Sequence, residues 1–147
     1  MKYGKMGRQT AGFTLIELLV VLVILGLLAS VAGPKVMGYL GGAKSDTARL
    51  QIEEFGTTLD LFKLETGRYP TTQEGLTALV QQPTGLAGWN GPYLKKKTLP
   101  KDPWGHDYRY VSPGQHGAFD ISSLGADGKE GGDGENKDIL SWEDSKK

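Results

Sequence analysis

The chain has 147 residues, with 17 basic and 17 acidic side chains and therefore no formal net charge at pH 7. A neutral chain lacks the positive charge with which nucleic-acid-binding proteins contact phosphates, so nucleic acid is not an expected partner. Cysteine is absent, which excludes disulfides and thiol chemistry. Beyond one apolar segment near its start, the chain is long enough for a single small domain.

The first residues form a basic segment ahead of a long apolar run. Lys2, Lys5 and Arg8 lie in it, and no acidic residue precedes Glu17. By the positive-inside tendency, this end stays in the cytoplasm and the C-terminal part of the chain is translocated. The run is longer than the apolar region of a cleaved secretory signal, which leaves a plain single-span anchor as the simple alternative.

The apolar run extends from Phe13 to Ala32 and contains one charged residue, Glu17. Roughly 20 helical residues span about 30 Å, the thickness of the hydrocarbon core of a bilayer. A carboxylate near the bilayer centre costs about 2.5–3.5 kcal/mol on insertion scales. Such a side chain is expected to have a partner, and neither a signal peptide nor a plain anchor provides one.

The segment after the run has an ambiguous helical pattern, because it contains Pro34 and four glycines (33, 38, 41 and 42). It is either a helix end or linker, or part of a long helix that kinks or partly melts between Gly26 and Pro34. Helical periodicity then resumes, with an apolar stripe that predicts core packing, and Gly67 and Pro70 predict the end of the helix. The stripe consists of Ile52, Phe55, Leu59 and Phe62.

The remaining segments predict a short helix followed by strands. A helix N-cap is expected at Thr71 or Thr72, with the helix continuing to about Gln81. Alternating patterns predict strands at Tyr108–Val111 and Ala118–Ser123, with a third at Asp138–Trp142. A long helix, a short helix and then an antiparallel sheet define the α+β class.

Several loop residues could suggest chemistry, but their spacing does not support it. His106 and His116 lack the neighbours of a zinc or catalytic site and are expected to be hydrogen-bonding residues. The loop aromatics are expected to pack in the core or pin loops: Trp89, Tyr93 and Trp104. The basic run Tyr93–Lys101 is either a solvated face or one side of a subunit contact.

The motif "GFTLIE" (Gly12–Glu17), after a basic leader and before an apolar helix, resembles the type III signal of type IV pilins and pseudopilins. The resemblance implies that a prepilin peptidase cuts between Gly12 and Phe13 and methylates the new terminus. The chain would then consist of a leader (1–12), a transmembrane and fibre-core helix (13–34) and a periplasmic globular domain (35–147). It also implies that Glu17 pairs with the Phe13 amine of a neighbouring subunit during assembly.

Three later blocks are similar to the major pseudopilins of type II secretion systems: "KLETGRYPTTQEGLTAL", "KDPWGHDYRY" and "SPGQHGAFDISSLGADGKEGG". The resemblance implies a type IV pilin-like fold, in which the long N-terminal helix packs on a small C-terminal antiparallel sheet. It further implies a non-enzymatic, single-pass inner-membrane subunit that polymerises into a periplasmic pseudopilus and so supports protein secretion. Its implied partners are other copies of the chain, minor pseudopilins and the inner-membrane assembly platform.

Two alternatives to this function remain open. One is a type IV pilin, although adhesive pilins usually carry a C-terminal cysteine pair that this chain lacks. The other is a monomeric membrane-anchored calcium-binding module that never polymerises.

The segment Gly125–Asp138, here called the acidic glycine loop, interleaves glycines with acidic residues. Composition alone favours a mobile surface loop. Calcium binding is also possible, because Ca²⁺ takes six to eight oxygen ligands and glycines let a short loop wrap around it, although the EF-hand spacing is missing. The resemblance implies one Ca²⁺, with ligands from the Asp127 side chain, the Leu124 and Lys129 carbonyls and the closing carboxylate Asp138, and with Asp133 and Glu135 as further candidates.

Overall fold

The computed structural model describes residues 12–143 and divides the chain into two compact units, Met1–Met37 and Gly38–Lys147. The predicted leader therefore lies outside the described residues, except for Gly12. In chain order the elements are the helix α1 (Leu15–Thr66), the 3₁₀ turn η1 (Leu76–Leu79), the strands β1 (Arg109–Val111) and β2 (Asp120–Ser123), the 3₁₀ turn η2 (Gly134–Asn136) and the strand β3 (Ile139–Leu140).

Helix α1 begins with a capping box formed by Thr14 and Glu17. The Glu17 carboxylate accepts hydrogen bonds from the Thr14 backbone amide at 2.8 Å and from its hydroxyl at 3.0 Å. In return, the Thr14 hydroxyl accepts a bond from the Glu17 amide at 3.2 Å. This reciprocal arrangement satisfies amides that have no partner inside a helix.

In the first unit, the described residues after Thr14 form an apolar helix whose side chains are not packed in a protein core. From Leu15 to Val31 its large side chains are exposed, and the apolar window of α1 is long enough to cross a membrane. Helix α1 also continues through Pro34, so the expected helix end or linker at that point is wrong. Melting between Gly26 and Pro34 in a fibre stays a prediction.

The second unit has its core on the C-terminal half of α1. The predicted stripe Ile52, Phe55, Leu59 and Phe62 is confirmed, since all four side chains are at most 4% exposed. They pack with Leu79 of η1 and with three residues of the sheet: Tyr110, Ile121 and Ile139. The helix ends at Thr66, as predicted, because Gly67 adopts φ 83° and its amide bonds to the Lys63 carbonyl at 2.8 Å.

The predicted second helix is reduced to a turn and a short 3₁₀ element. Thr71 does form the expected cap, because its hydroxyl accepts a bond from the Glu74 amide and the Glu74 carboxylate accepts one from the Thr71 amide. However, Gly75 follows at φ 61° and ψ −169°, which is outside helical geometry. The chain therefore leaves the helix after one turn, and only Leu76–Leu79 is helical.

The sheet is antiparallel with strand order β1-β2-β3, and its predicted strands are present but shorter. Tyr110 pairs with Ile121, and Ser123 pairs with Ile139. Residues 118 and 119 fall outside β2, and the Ala118 carbonyl accepts a bond from Gly114 in the turn that precedes the strand. The predicted α+β class, a long helix with a small antiparallel sheet, is confirmed.

Candidate functional site

The N-terminal candidate residues lie at an exposed helix start. Phe13 is 89% exposed, and the carboxylate of Glu17 is held by Thr14 within the same chain. Glu17 therefore caps its own helix, and this local role is separate from the predicted pairing with a neighbour's amine. The pairing itself stays a prediction.

The acidic glycine loop is closed at its base by hydrogen bonds that two backbone amides donate. The Ala126 amide donates to the Glu135 carbonyl at 2.8 Å, and the Gly131 amide donates to the Asp138 carboxylate at 3.0 Å. Gly125 adopts φ 64°, and a Cβ there would lie 2.7 Å from the Glu135 carbonyl oxygen. Glycine is required at this position both for its conformation and for the close approach of the two chain segments.

A turn from Asp102 to His106 supports the loop from one side. The Asp102 carboxylate is buried and accepts a bond from the Ser123 hydroxyl at 2.6 Å and from the His106 amide at 2.8 Å. The His106 Nδ1 atom lies 3.0 Å from the Gly125 carbonyl oxygen. From the sequence, this turn was identified only as part of the block "KDPWGHDYRY". Its contacts with the acidic glycine loop were not predicted.

The predicted calcium ligands differ in their surroundings. Asp138 Oδ1 is buried and has no hydrogen-bond partner among residues 12–143. This oxygen is therefore available to bind a cation. Asp127 is exposed, and its carboxylate accepts a bond from the Lys129 amide at 3.1 Å. Asp133 is exposed and precedes η2 without capping it.

The carboxylates of the loop are not gathered into one cluster. In the described part of the chain, no group of three or more histidine, cysteine, aspartate or glutamate side chains is placed to hold a metal. A cation here would therefore need backbone carbonyl oxygens as well as carboxylates. The predicted ligands include both types of oxygen, because Leu124 and Lys129 would contribute carbonyls. Ca²⁺ binds carboxylate and carbonyl oxygens together.

His116 is a hydrogen-bonding residue, as expected. Its Nδ1 atom lies 3.0 Å from the Asp120 carboxylate, and its ring stacks on Trp142 with a centroid distance of 4.1 Å. Burial would raise the pKa of Asp120, but bonds from His116 and from the Gln115 amide outweigh it, so the pKa lies below its ordinary value. The histidine thus holds the turn before β2 in place.

The loop aromatics pack as predicted. The Trp89 indole donates to the Ala78 carbonyl at 2.8 Å, and the Tyr93 hydroxyl donates to Glu65 at 2.6 Å. Trp104 also packs against the core. The role of the basic run Tyr93–Lys101 in subunit contacts stays a prediction.

A membrane-length apolar helix that continues into a small α+β unit defines the class of pilin-like subunits, and comparisons with known proteins agree. The family model "Type II secretion system (T2SS), protein G" matches residues 35–142. The model "Prokaryotic N-terminal methylation motif" matches residues 7–33.

Relatives match over nearly their full length. The type II secretion system core protein G of Pseudomonas aeruginosa is 51% identical over 140 residues, which cover 92% of this chain and 97% of that protein. The protein of the same name from Vibrio cholerae is 49% identical and covers 94% of each chain. A solved structure, the major pseudopilin of the type 2 secretion system of enterohaemorrhagic Escherichia coli, superposes with a TM-score of 0.62 at 36% identity, covering 74% of this chain and 95% of that one.

The chain belongs to the type II secretion system protein G family. Its predicted function, a structural subunit of the pseudopilus in type II secretion, and its type IV pilin-like fold are confirmed at that level. The methylation motif and the apolar helix indicate a membrane-anchored pseudopilin. Assembly with other components of the secretion system follows from family membership.

Proposed function

We propose that the chain is cut after Gly12, held in the inner membrane by the first half of α1, and polymerised with other copies into a periplasmic fibre. The observation that carries this proposal is the exposed apolar surface from Leu15 to Val31. A surface of this size needs a nonpolar partner, either lipid or other helices. Before assembly the partner is the bilayer, and in the fibre it is the same segment of neighbouring subunits.

Processing provides the partner for Glu17. Cleavage between Gly12 and Phe13 by a prepilin peptidase creates an amine at Phe13, one helical turn before the carboxylate. In a low-dielectric fibre core an unpaired charge is strongly penalised, so pairing with a neighbour's amine sets the axial register. The Thr14 bonds hold Glu17 at the helix start until that pairing occurs.

The topology of the proposal follows from the charge distribution. The basic leader stays on the cytoplasmic side, and the unit that begins near Gly38 is periplasmic. The proposed partners are further copies of the chain, minor pseudopilins, the inner-membrane assembly platform and the prepilin peptidase. The proposed role is structural, without catalysis and without nucleic acid.

Calcium is proposed as the cofactor of the acidic glycine loop. The free, buried oxygen of Asp138 supports the assignment, and Asp127, Asp133 and the carbonyls of Leu124 and Lys129 complete the proposed donors. When bound, the cation neutralises the mutual repulsion of the loop carboxylates. It would also join the end of β2 to the start of β3, because its ligands lie on both sides of the loop.

Mass spectrometry and electron microscopy test the assembly proposal together. The chain is expressed in cells that contain a prepilin peptidase. The measured mass is expected to be that of a mature protein that begins at a methylated Phe13. Overexpression should then give fibres that are visible by electron microscopy. An intact Met1 end, or processed protein that never forms fibres with the secretion components present, would contradict the proposal.

A further inference from the structure

The acidic glycine loop contacts helix α1 between Glu135 and Gly41. Gly41 is buried, whereas its neighbour Gly42 is exposed. A Cβ on Gly41 would lie 2.5 Å from Cγ of Glu135 and 2.6 Å from Oε1. Because real Cβ atoms do not approach other atoms this closely, only glycine fits here without moving Glu135.

Gly41 extends the buried face of α1 towards its N-terminal side. It lies two turns before Ala48, which is fully buried, and Ala48 lies one turn before the core residue Ile52. At Gly41 the covering group is the Glu135 side chain, which belongs to η2 inside the loop. The loop therefore covers the N-terminal end of this buried face.

The main chain of Glu135 also closes the loop. Its carbonyl accepts the bond from the Ala126 amide at 2.8 Å, and the predicted ligand Asp138 follows three residues later. The same residue thus connects the base of the loop to α1. Because its side chain is turned onto the helix, Glu135 is not placed as a cation ligand.

We infer that Glu135 and Gly41 are positioning residues that couple calcium binding in the acidic glycine loop to the segment of α1 around Gly41. This inference rests on the calcium site proposed above. A cation that orders the loop holds the Glu135 side chain against α1. Conversely, a substitution in α1 that displaces Glu135 weakens cation binding. Coupling of this kind is reciprocal, so it can be measured from either end.

Calorimetric titration of the purified full chain with CaCl₂ in detergent micelles tests the coupling from the helix end. Gly41→Ala is expected to raise the Kd for calcium about tenfold, within the usual range of coupling between sites. Gly42→Ala is the matched control, because it brings the same gain in helix propensity and nothing lies within 4 Å of its Cβ position. Its Kd should equal that of the unmutated chain.

A double variant separates the contact from other effects of the substitution. In a Glu135→Ala background the obstructing side chain is gone, so adding Gly41→Ala should change the Kd by less than about twofold. Hydrogen exchange measured by mass spectrometry tests the coupling from the other end. Calcium should slow exchange in the peptide that contains residues 41–48 of the unmutated chain, but not in Glu135→Ala.

The outcomes distinguish this inference from the proposed calcium site. If the unmutated chain binds calcium but Gly41→Ala and Gly42→Ala have the same Kd, the coupling is overturned and the calcium site stands. If the unmutated chain takes up no calcium, both are overturned.

Discussion

Glu17 has two separable properties, a side chain that caps α1 and a negative charge. The capping box requires only an acceptor at this position, and glutamine serves there as well as glutamate. Pairing with the Phe13 amine requires the charge. The hydrogen bonds to Thr14 therefore complicate any interpretation of an alanine variant, which loses both properties at once.

Glu17→Gln is expected to insert and be cleaved normally but to lower the yield of fibres about tenfold or more, because breaking a desolvated ion pair costs several kcal/mol. Glu17→Ala should behave in the same way. Thr14→Val is the control, since it weakens the cap by about 1 kcal/mol and leaves the charge. Membrane fractionation measures insertion, and electron microscopy measures fibres. Normal fibres from Glu17→Gln would refute the pairing.

Arg68 and Glu74 form an ion pair in the turn after α1. Two parallel bonds of 2.7 Å join the guanidinium to the carboxylate. The bonds from Arg68, aided by the Thr71 amide and opposed by burial, hold the pKa of Glu74 at about 2 against an ordinary value of 4.5. A lowered pKa stabilises the fold above the ordinary value, and that stabilisation is lost as the pH falls from 4.5 towards 2.

Glu74→Gln should therefore destabilise the second unit by about 1 kcal/mol at neutral pH, a modest value because the pair is partly exposed. The difference from the unmutated chain should shrink below about pH 4, as Glu74 becomes protonated. Thermal unfolding in micelles at several pH values measures this difference in stability. Glu53→Gln, on the exposed face of α1, is the control. A difference that is independent of pH would contradict the ion-pair account.

At the scale of elements, α1 is one helix with two environments. Its first half is apolar on all sides, whereas its second half buries one stripe and exposes the other face. Leu59 is fully buried and Leu64 is 82% exposed, although the two are five residues apart in the same helix. Helix propensity is the same for both, so only packing distinguishes them.

Leu59→Ala is expected to lower the free energy of unfolding by about 2–5 kcal/mol, through lost burial and a cavity. Leu64→Ala should change it by less than about 0.5 kcal/mol. Denaturation of the full chain in micelles, followed by tryptophan fluorescence, measures both. Equal losses in the two variants would mean that the stripe does not carry the stability of the second unit.

The helices and strands with a regular apolar pattern were predictable from the sequence, whereas an unusual glycine conformation and a side-chain contact between distant residues were not. The stripe around Phe55 and the stop at Gly67 follow from local rules. The short helix after Pro70 was overestimated, because its cap at Thr71 is real but the conformation of Gly75 overrides it. Gly41 was interpreted as a helix breaker, since nothing in the sequence places Glu135 beside it.

At the scale of the whole molecule, the acidic glycine loop contacts several parts of the second unit, so the calcium ion proposed for it is expected to affect the stability of that unit. The loop lies between β2 and β3, contacts the Asp102–His106 turn through Gly125, and meets α1 through Glu135. Its five acidic residues, from Asp127 to Asp138, repel one another when no cation is bound.

Calcium is therefore expected to raise the melting temperature of the full chain in micelles relative to a chelator. Binding to the folded state alone adds about 2.7 kcal/mol at a hundredfold excess over Kd, which corresponds to several degrees for a domain of this size. Asp127→Ala should melt low with or without calcium. Glu130→Ala is the matched control, because Glu130 pairs with Arg109 on the surface and is not among the proposed ligands, so its calcium response should persist. If the unmutated chain melts at the same temperature in calcium and in chelator, the loop is an ordinary surface segment, and its contacts with α1 and the sheet stabilise the unit without a metal.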